Sequence, residues 1–202
     1  MKLVIATNNR NKIREIRDKF ADISSLELIP LNDFPDPPEV IEDGNSFREN
    51  AYKKARDIAS YTGSPSMADD SGLAVDALHG RPGIYSARYG GDSATDADRN
   101  RMILEEMRGI PIERRGARFI CVIAIVFPDG RSFFAEGSCE GVIAETMKGG
   151  HGFGYDPIFY LPGHGKTMAE LPLQEKNRIS HRAKALEAAR EILEKINQQY
   201  PD

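Results

Sequence analysis

Three observations predict an α/β fold with a mixed central β-sheet and flanking helices. The chain opens as strand, polar loop and helix; an almost continuously apolar strand near its middle turns back on itself; and the last forty residues carry a long amphipathic helix. With 202 residues and 40% hydrophobic content, the chain can bury a substantial core. That size suits one domain, 1–202, or two closely joined lobes.

Residues 3–6 form a short apolar run, Thr7-Asn8-Asn9 supplies turn-forming side chains, and Ile13, Ile16 and Phe20 then recur at helical spacing. The loop and the first helical amides therefore lie at the carboxyl end of a strand, where open α/β sheets bind ligands. Farther on, Ser46 and Glu49 have capping-box spacing, and Phe47, Ala51, Ala55 and Ile58 mark the buried stripe of a helix that stops near Gly63. Thr95 and Asp98 start another helix, with Ile103 and Met107 facing inward. Residues 118–127 read as a buried strand, and Pro128-Asp129-Gly130 turns it into a partner around residues 132–136. Ser180 is the expected N-cap of a final helix carrying Ile179, Ala183, Leu186, Ala189, Leu193 and Ile196 at three- and four-residue steps.

The formal net charge is -4 and opposite charges are interspersed, so no global field draws the chain to nucleic acid or to an anionic membrane. No apolar run approaches the roughly 20 residues of a spanning helix. The N-terminal apolar run is too short for a secretory signal. Two cysteines, Cys121 and Cys139, in a chain of this kind are expected as reduced, buried thiols. The expected location is the cytoplasm, with no nucleic-acid and no membrane partner.

Met67-Ala68-Asp69-Asp70-Ser71-Gly72-Leu73 sets two carboxylates and a hydroxyl between apolar residues, so the segment is expected to enter the interior and expose polar groups at a bend. Adjacent carboxylates in a partly buried place need neutralisation, by donors or by a hard cation such as Mg2+. Alone, the motif reads as a solvent-facing turn. Neighbouring side chains of an extended strand point to opposite faces, so one carboxylate serves chemistry and the other support. Glu42, in a loop before a helix N-terminus, is the candidate third carboxylate; it or Asp43 could equally serve the helix dipole.

The stretch Glu175-Lys176-Asn177-Arg178-Ile179-Ser180-His181-Arg182-Ala183-Lys184 places three basic groups in a first helical turn. The positive end of the macrodipole disfavours them unless an anion sits there; a solvated helix face is the plainer reading. Gly149-Gly150-His151-Gly152-Phe153-Gly154-Tyr155-Asp156-Pro157 combines glycines with two aromatic rings and a carboxylate. Phe153 or Tyr155 could stack on a nucleobase while Asp156 accepts its hydrogen bonds; the alternative is a packed loop. His79, His151 and His164 lack paired metal-ligand spacing and are expected on the surface or in loops.

Together, Thr7-x-Asn9-x-x-Lys12, Ala68-Asp69-Asp70-Ser71-Gly72-Leu73, Pro82-Gly83-Ile84-Tyr85-Ser86-Ala87-Arg88, Phe153-Gly154-Tyr155-Asp156-Pro157 and Ser180-His181-Arg182 closely resemble the inosine/xanthosine triphosphate pyrophosphatase family. The resemblance spans nearly the whole chain, in family order. It implies hydrolysis of non-standard purine nucleoside triphosphates such as ITP, dITP and XTP to monophosphate and pyrophosphate, cleansing the nucleotide pool. It further implies a homodimer of two-lobed subunits with the nucleotide in a cleft between lobes. Carried onto this sequence, the loop Thr7, Asn8, Asn9, Arg10, Asn11 and Lys12 contacts the triphosphate, with Asn8 standing where many members carry glycine. Glu42 and Asp70 hold Mg2+, Asp70 activates or orients the attacking water, Asp69 supports it and Ser71 touches substrate. Lys176 lies near the phosphates or base, and Phe153, Gly154, Tyr155, Asp156, His181 and Arg182 form the base pocket. The closest alternatives are a phosphomonoesterase, which would release orthophosphate, and a non-catalytic purine nucleotide-binding regulator, for which the acidic residues have no use.

Overall fold

The computed structural model describes residues 1–199. Its elements run β1 (Lys2–Ile5), α1 (Arg10–Phe20), β2 (Glu27–Pro30), α2 (Phe47–Thr62), β3 (Ser66–Val75), α3 (Asp96–Glu106), β4 (Gly116–Val126), β5 (Ser132–Ile143), β6 (Phe159–Leu161), β7 (Lys166–Thr167), α4 (Leu173–Ile179) and α5 (His181–Gln199), with 3-10 turns between them. The strands pair in the order β2-β1-β3-β4-β5-β6-β7. β1 is parallel to β2 and β3, whereas β6 is antiparallel to β5 and β7, so the sheet is mixed as the interleaved pattern predicts. Among the described residues no helix is long and apolar enough to cross a membrane.

The backbone divides into two compact units, each assembled from separated stretches of chain. The first takes Met1–Asp70, Cys121–Gly137 and the chain from Arg182 onward; the second takes Ser71–Ile120 and Ser138–His181. β3, β4 and β5 each contribute one end to each unit.

The first unit closes around Leu3 and Ile5 of β1, Ile16 and Phe20 of α1, Ile123 and Ile125 of β4, and Leu186, Leu193 and Ile196 of α5. These are the positions that helical spacing assigns to the inner stripes of α1 and α5. In the second unit Leu73 and Val75 pack with Ile103 of α3, Met107 at its C-cap, Phe119 of β4, Ile143 of β5 and Phe159 of β6. Cys121 belongs to the first core and Cys139 to the second; both are buried thiols.

Helix boundaries follow local chemistry. Asn9 caps α1, accepting the Asn11 and Lys12 N–H groups at 3.0 and 3.3 Å. Thr95 and Asp98 form a reciprocal capping box on α3. α2 ends at Gly63, whose φ of +63° is the left-handed stop that glycine adopts without strain. At its start Ser46 Oγ accepts the Glu49 N–H at 3.1 Å, but the Glu49 carboxylate reaches the Asn45 N–H at 2.7 Å, one residue outside the predicted box. Two features depart from expectation. β5 extends to Ile143, beyond the 132–136 of the predicted hairpin arm, and Ile179, expected on the final helix, instead ends a separate short helix, α4, with Ser180 between it and α5.

Candidate functional site

Asp69 and Asp70 lie in the middle of β3, not in the exposed bend their sequence suggests. Both are nearly fully buried, at 5% and 6% exposure. A strand can carry them there because its pleat sends them to opposite faces, where each finds its own cations or donors.

Asp69 faces α1 and α5. Its Oδ2 lies 2.9 Å from Lys12 Nζ and 3.4 Å from Arg182 Nε, and Arg182 Nη1 lies 2.8 Å from Glu15 Oε2. Burial pushes the Asp69 carboxyl up, but the charges of Lys12, Arg182 and Lys54 outweigh it and hold the group well below the usual carboxylate range. Asp69 is thereby a fixed anion that orders two cations.

Asp70 faces α2. Asn50 Nδ2 donates to its Oδ2 at 3.1 Å, and Lys54 Nζ lies 3.7 Å from its Oδ1 and 2.8 Å from Glu42 Oε1. Glu42 and Asp70 therefore share one ammonium and converge on a common point. Burial raises the Asp70 carboxyl above its ordinary value and the Glu42 charge adds to this, against the pull of Lys54 and Asn50. Burial alone would depress Lys54, but Asp70, Asp69 and Glu42 together raise it, so it stays a cation.

The loop carrying Glu42 is fastened to one side of α2. Lys53 Nζ holds Asp43 Oδ1 at 2.6 Å, Asn50 Oδ1 accepts the Gly44 N–H at 2.8 Å, and Glu49 holds Asn45. Positions 49, 50, 53 and 54 are neighbours on a helix surface. The fit is close: a Cβ on Gly44 would stand 2.7 Å from Asn50 Oδ1 and 2.8 Å from Glu49 Cβ.

In the second unit, the glycine-rich loop is organised by a buried ion pair. Lys176 Nζ lies 2.6 Å from Asp156 Oδ2, which also accepts the Phe153 N–H at 2.9 Å. The same ammonium sits 4.6 Å from the centre of the half-buried Phe153 ring. Gly152 has a φ of +83°, and a Cβ there would come within 2.0 Å of Asp156 Oδ2.

Several expected contacts take other forms. Tyr155 is buried and its hydroxyl donates to Ser86 O at 2.8 Å, so Phe153 is the ring with an accessible face. Asp156 is buried and spends Oδ2 on Lys176 and Phe153. His181 is buried and stacked on Phe119, with ring centres 4.7 Å apart. Arg182 meets carboxylates of its own chain, which also removes the apparent charge mismatch at the start of α5. Asn9 uses its side chain as a helix cap, leaving exposed Asn8, Arg10 and Asn11, and half-buried Thr7 and Lys12, around the start of α1. Ser71 follows on β3, half-buried.

Lys54, Asn50 and Glu15 are site residues that sequence reasoning missed. A lysine or glutamate on an amphipathic helix reads as a solvated charge. The available signal is that Asn50 and Lys54 directly precede the buried Ala51 and Ala55, which puts polar groups at the margin of an apolar stripe.

The sequence model of the Ham1 family matches residues 3–192. The dITP/XTP pyrophosphatase of Desulforamulus reducens is 50% identical over 196 residues, covering 97% of this chain and 97% of that one. That of Shouchella clausii is 49% identical over 194 residues, covering 96% and 97%. Among solved structures, a HAM1 protein from Coxiella burnetii superposes with a TM-score of 0.91 at 43% identity, covering 96% of this chain and 99% of that one.

Proposed function

Because the chain belongs to the Ham1 family, with full-length relatives that are dITP/XTP pyrophosphatases, we propose that it hydrolyses ITP, dITP and XTP to the nucleoside monophosphate and pyrophosphate. It is a hydrolase of nucleotide metabolism. The observation that carries the chemical assignment is the convergence of Glu42 and Asp70 on one point occupied by a lysine ammonium.

Such a pair suits a hard, oxygen-seeking cation. An ion held by these two carboxylates must complete its shell elsewhere. Mg2+ does so habitually, taking one or two carboxylates and filling the rest with water and substrate phosphate oxygens. Glu42 and Asp70 would hold it, and it would supply charge neutralisation at the phosphates. Asp70 orients the water that attacks the α-phosphorus and accepts its proton. Asp69 keeps Lys12 directed by charge, and the Thr7–Lys12 loop meets the phosphates at the amino end of α1. Phe153 stacks on the base beside Lys176 and half-buried Ser71 touches substrate, whereas His181 and Arg182, buried against Phe119 and Glu15, act by supporting the residues around them.

With ITP or XTP and Mg2+, product analysis is expected to find pyrophosphate as the first product, much weaker turnover of ATP and GTP, and no turnover after chelation. Orthophosphate as first product would instead mark a phosphomonoesterase. We also assign the enzyme to the cytoplasm as a homodimer acting on free nucleotides. Light scattering should then return twice the 22.4 kDa of one chain; a mass of one chain would reject the dimer.

A further inference from the structure

α3 lies outside every motif that the nucleotide chemistry uses, yet its first turns bind the middle of the base loop from both sides. Asp96, the first residue of the helix, accepts the Gly154 N–H on Oδ2 at 2.8 Å. One turn later Asn100, buried to 1% exposure, donates from Nδ2 to Gly154 O at 2.8 Å and to the Asp96 carbonyl at 2.8 Å. Residues four apart share a helix face, so both backbone polar groups of Gly154 are gripped by neighbouring side chains on one rigid element.

Gly154 is the link between Phe153 and Tyr155. On one side, the Phe153 N–H is held by Asp156; on the other, the Tyr155 hydroxyl is held by Ser86. With the Gly154 peptide fixed as well, the backbone beside the Phe153 ring is constrained in sequence on both sides. Discrimination between purines that differ by one exocyclic group depends on leaving the wrong base with unpaired polar atoms, and a loop free to shift would re-pair them.

We propose that Asp96 and Asn100 are positioning residues for base selectivity, acting on the nucleobase only through the Gly154 peptide. The proposal rests on the reading that the 153–156 loop receives the base. kcat and KM for ITP and for GTP should be measured on Asp96→Ala, Asp96→Asn, Asn100→Ala and Phe153→Ala, with thermal unfolding in parallel. Loss of a hydrogen bond to a charged acceptor predicts that Asp96→Ala lowers kcat/KM for ITP by about tenfold, mostly through KM, and narrows the preference for ITP over GTP. Asn100→Ala should act in the same direction. Asp96→Asn retains an oxygen that accepts the Gly154 N–H, so it should restore the wild-type preference. Equal losses on both substrates, or an Asp96→Asn variant indistinguishable from Asp96→Ala, would overturn the proposal. If Phe153→Ala leaves the preference intact, the base-loop reading fails and this proposal with it. If Phe153→Ala abolishes the preference while Asp96→Ala preserves it, only the positioning role is lost.

Discussion

Asp70→Asn is expected to lower kcat for ITP by about a thousandfold, the loss that follows if Asp70 is both the general base and an anionic metal ligand as proposed. The substitution is nearly isosteric, so the Asn50 amide can still donate to an oxygen at position 70 and Lys54 keeps its pairing with Glu42. Nucleotide affinity, measured by calorimetry with a non-hydrolysable triphosphate, should therefore change by no more than about threefold, the pattern of an interaction made mainly in the transition state. Near-normal turnover in this variant would remove Asp70 from the centre of the reaction and leave Glu42 as the remaining candidate.

Asp69→Ala is expected to damage the protein itself. Asp69 is the shared counter-ion of Lys12 and Arg182, both of low exposure, and removing one member of a buried charge network costs about 3–5 kcal/mol. For a domain of this size that corresponds to a fall of about 10 °C in Tm. Asp69→Ala should also be non-additive with Glu15→Ala, because both act on Arg182 and a double-mutant cycle reports that sharing. An unchanged Tm for Asp69→Ala would mean that its role is confined to substrate.

The two adjacent aspartates illustrate how far the sequence could be read. That they diverge in direction follows from strand geometry and was legible, as were α1, α2, α3 and α5, whose apolar residues recur at helical spacing. The setting of the aspartates was not. Asp, Ser and Gly are ordinary turn residues, and what makes Asp69-Asp70 tolerable inside β3 are Lys12, Asn50, Lys54 and Arg182, distant in the chain. The same reason explains Tyr155 and Arg182: side-chain type suggested a group open to ligand, while the burying partners, Ser86 and Glu15, carry no local signature. The acidic residues, the aromatic loop and the cationic turn were legible as chemistry; which of their atoms remain available was a property of packing.

The attachment of residues 42–46 to α2 bears on how this enzyme can be recombined with others. Glu42, Asp43, Gly44 and Asn45 are each held by a side chain from positions 49, 50, 53 or 54, so loop and helix behave as a single cassette. A chimera joined between them would import the Glu42 carboxylate without the residues that aim it. Crossovers placed in the proline-rich stretch before residue 39 and at Gly63 would carry the whole cassette across intact.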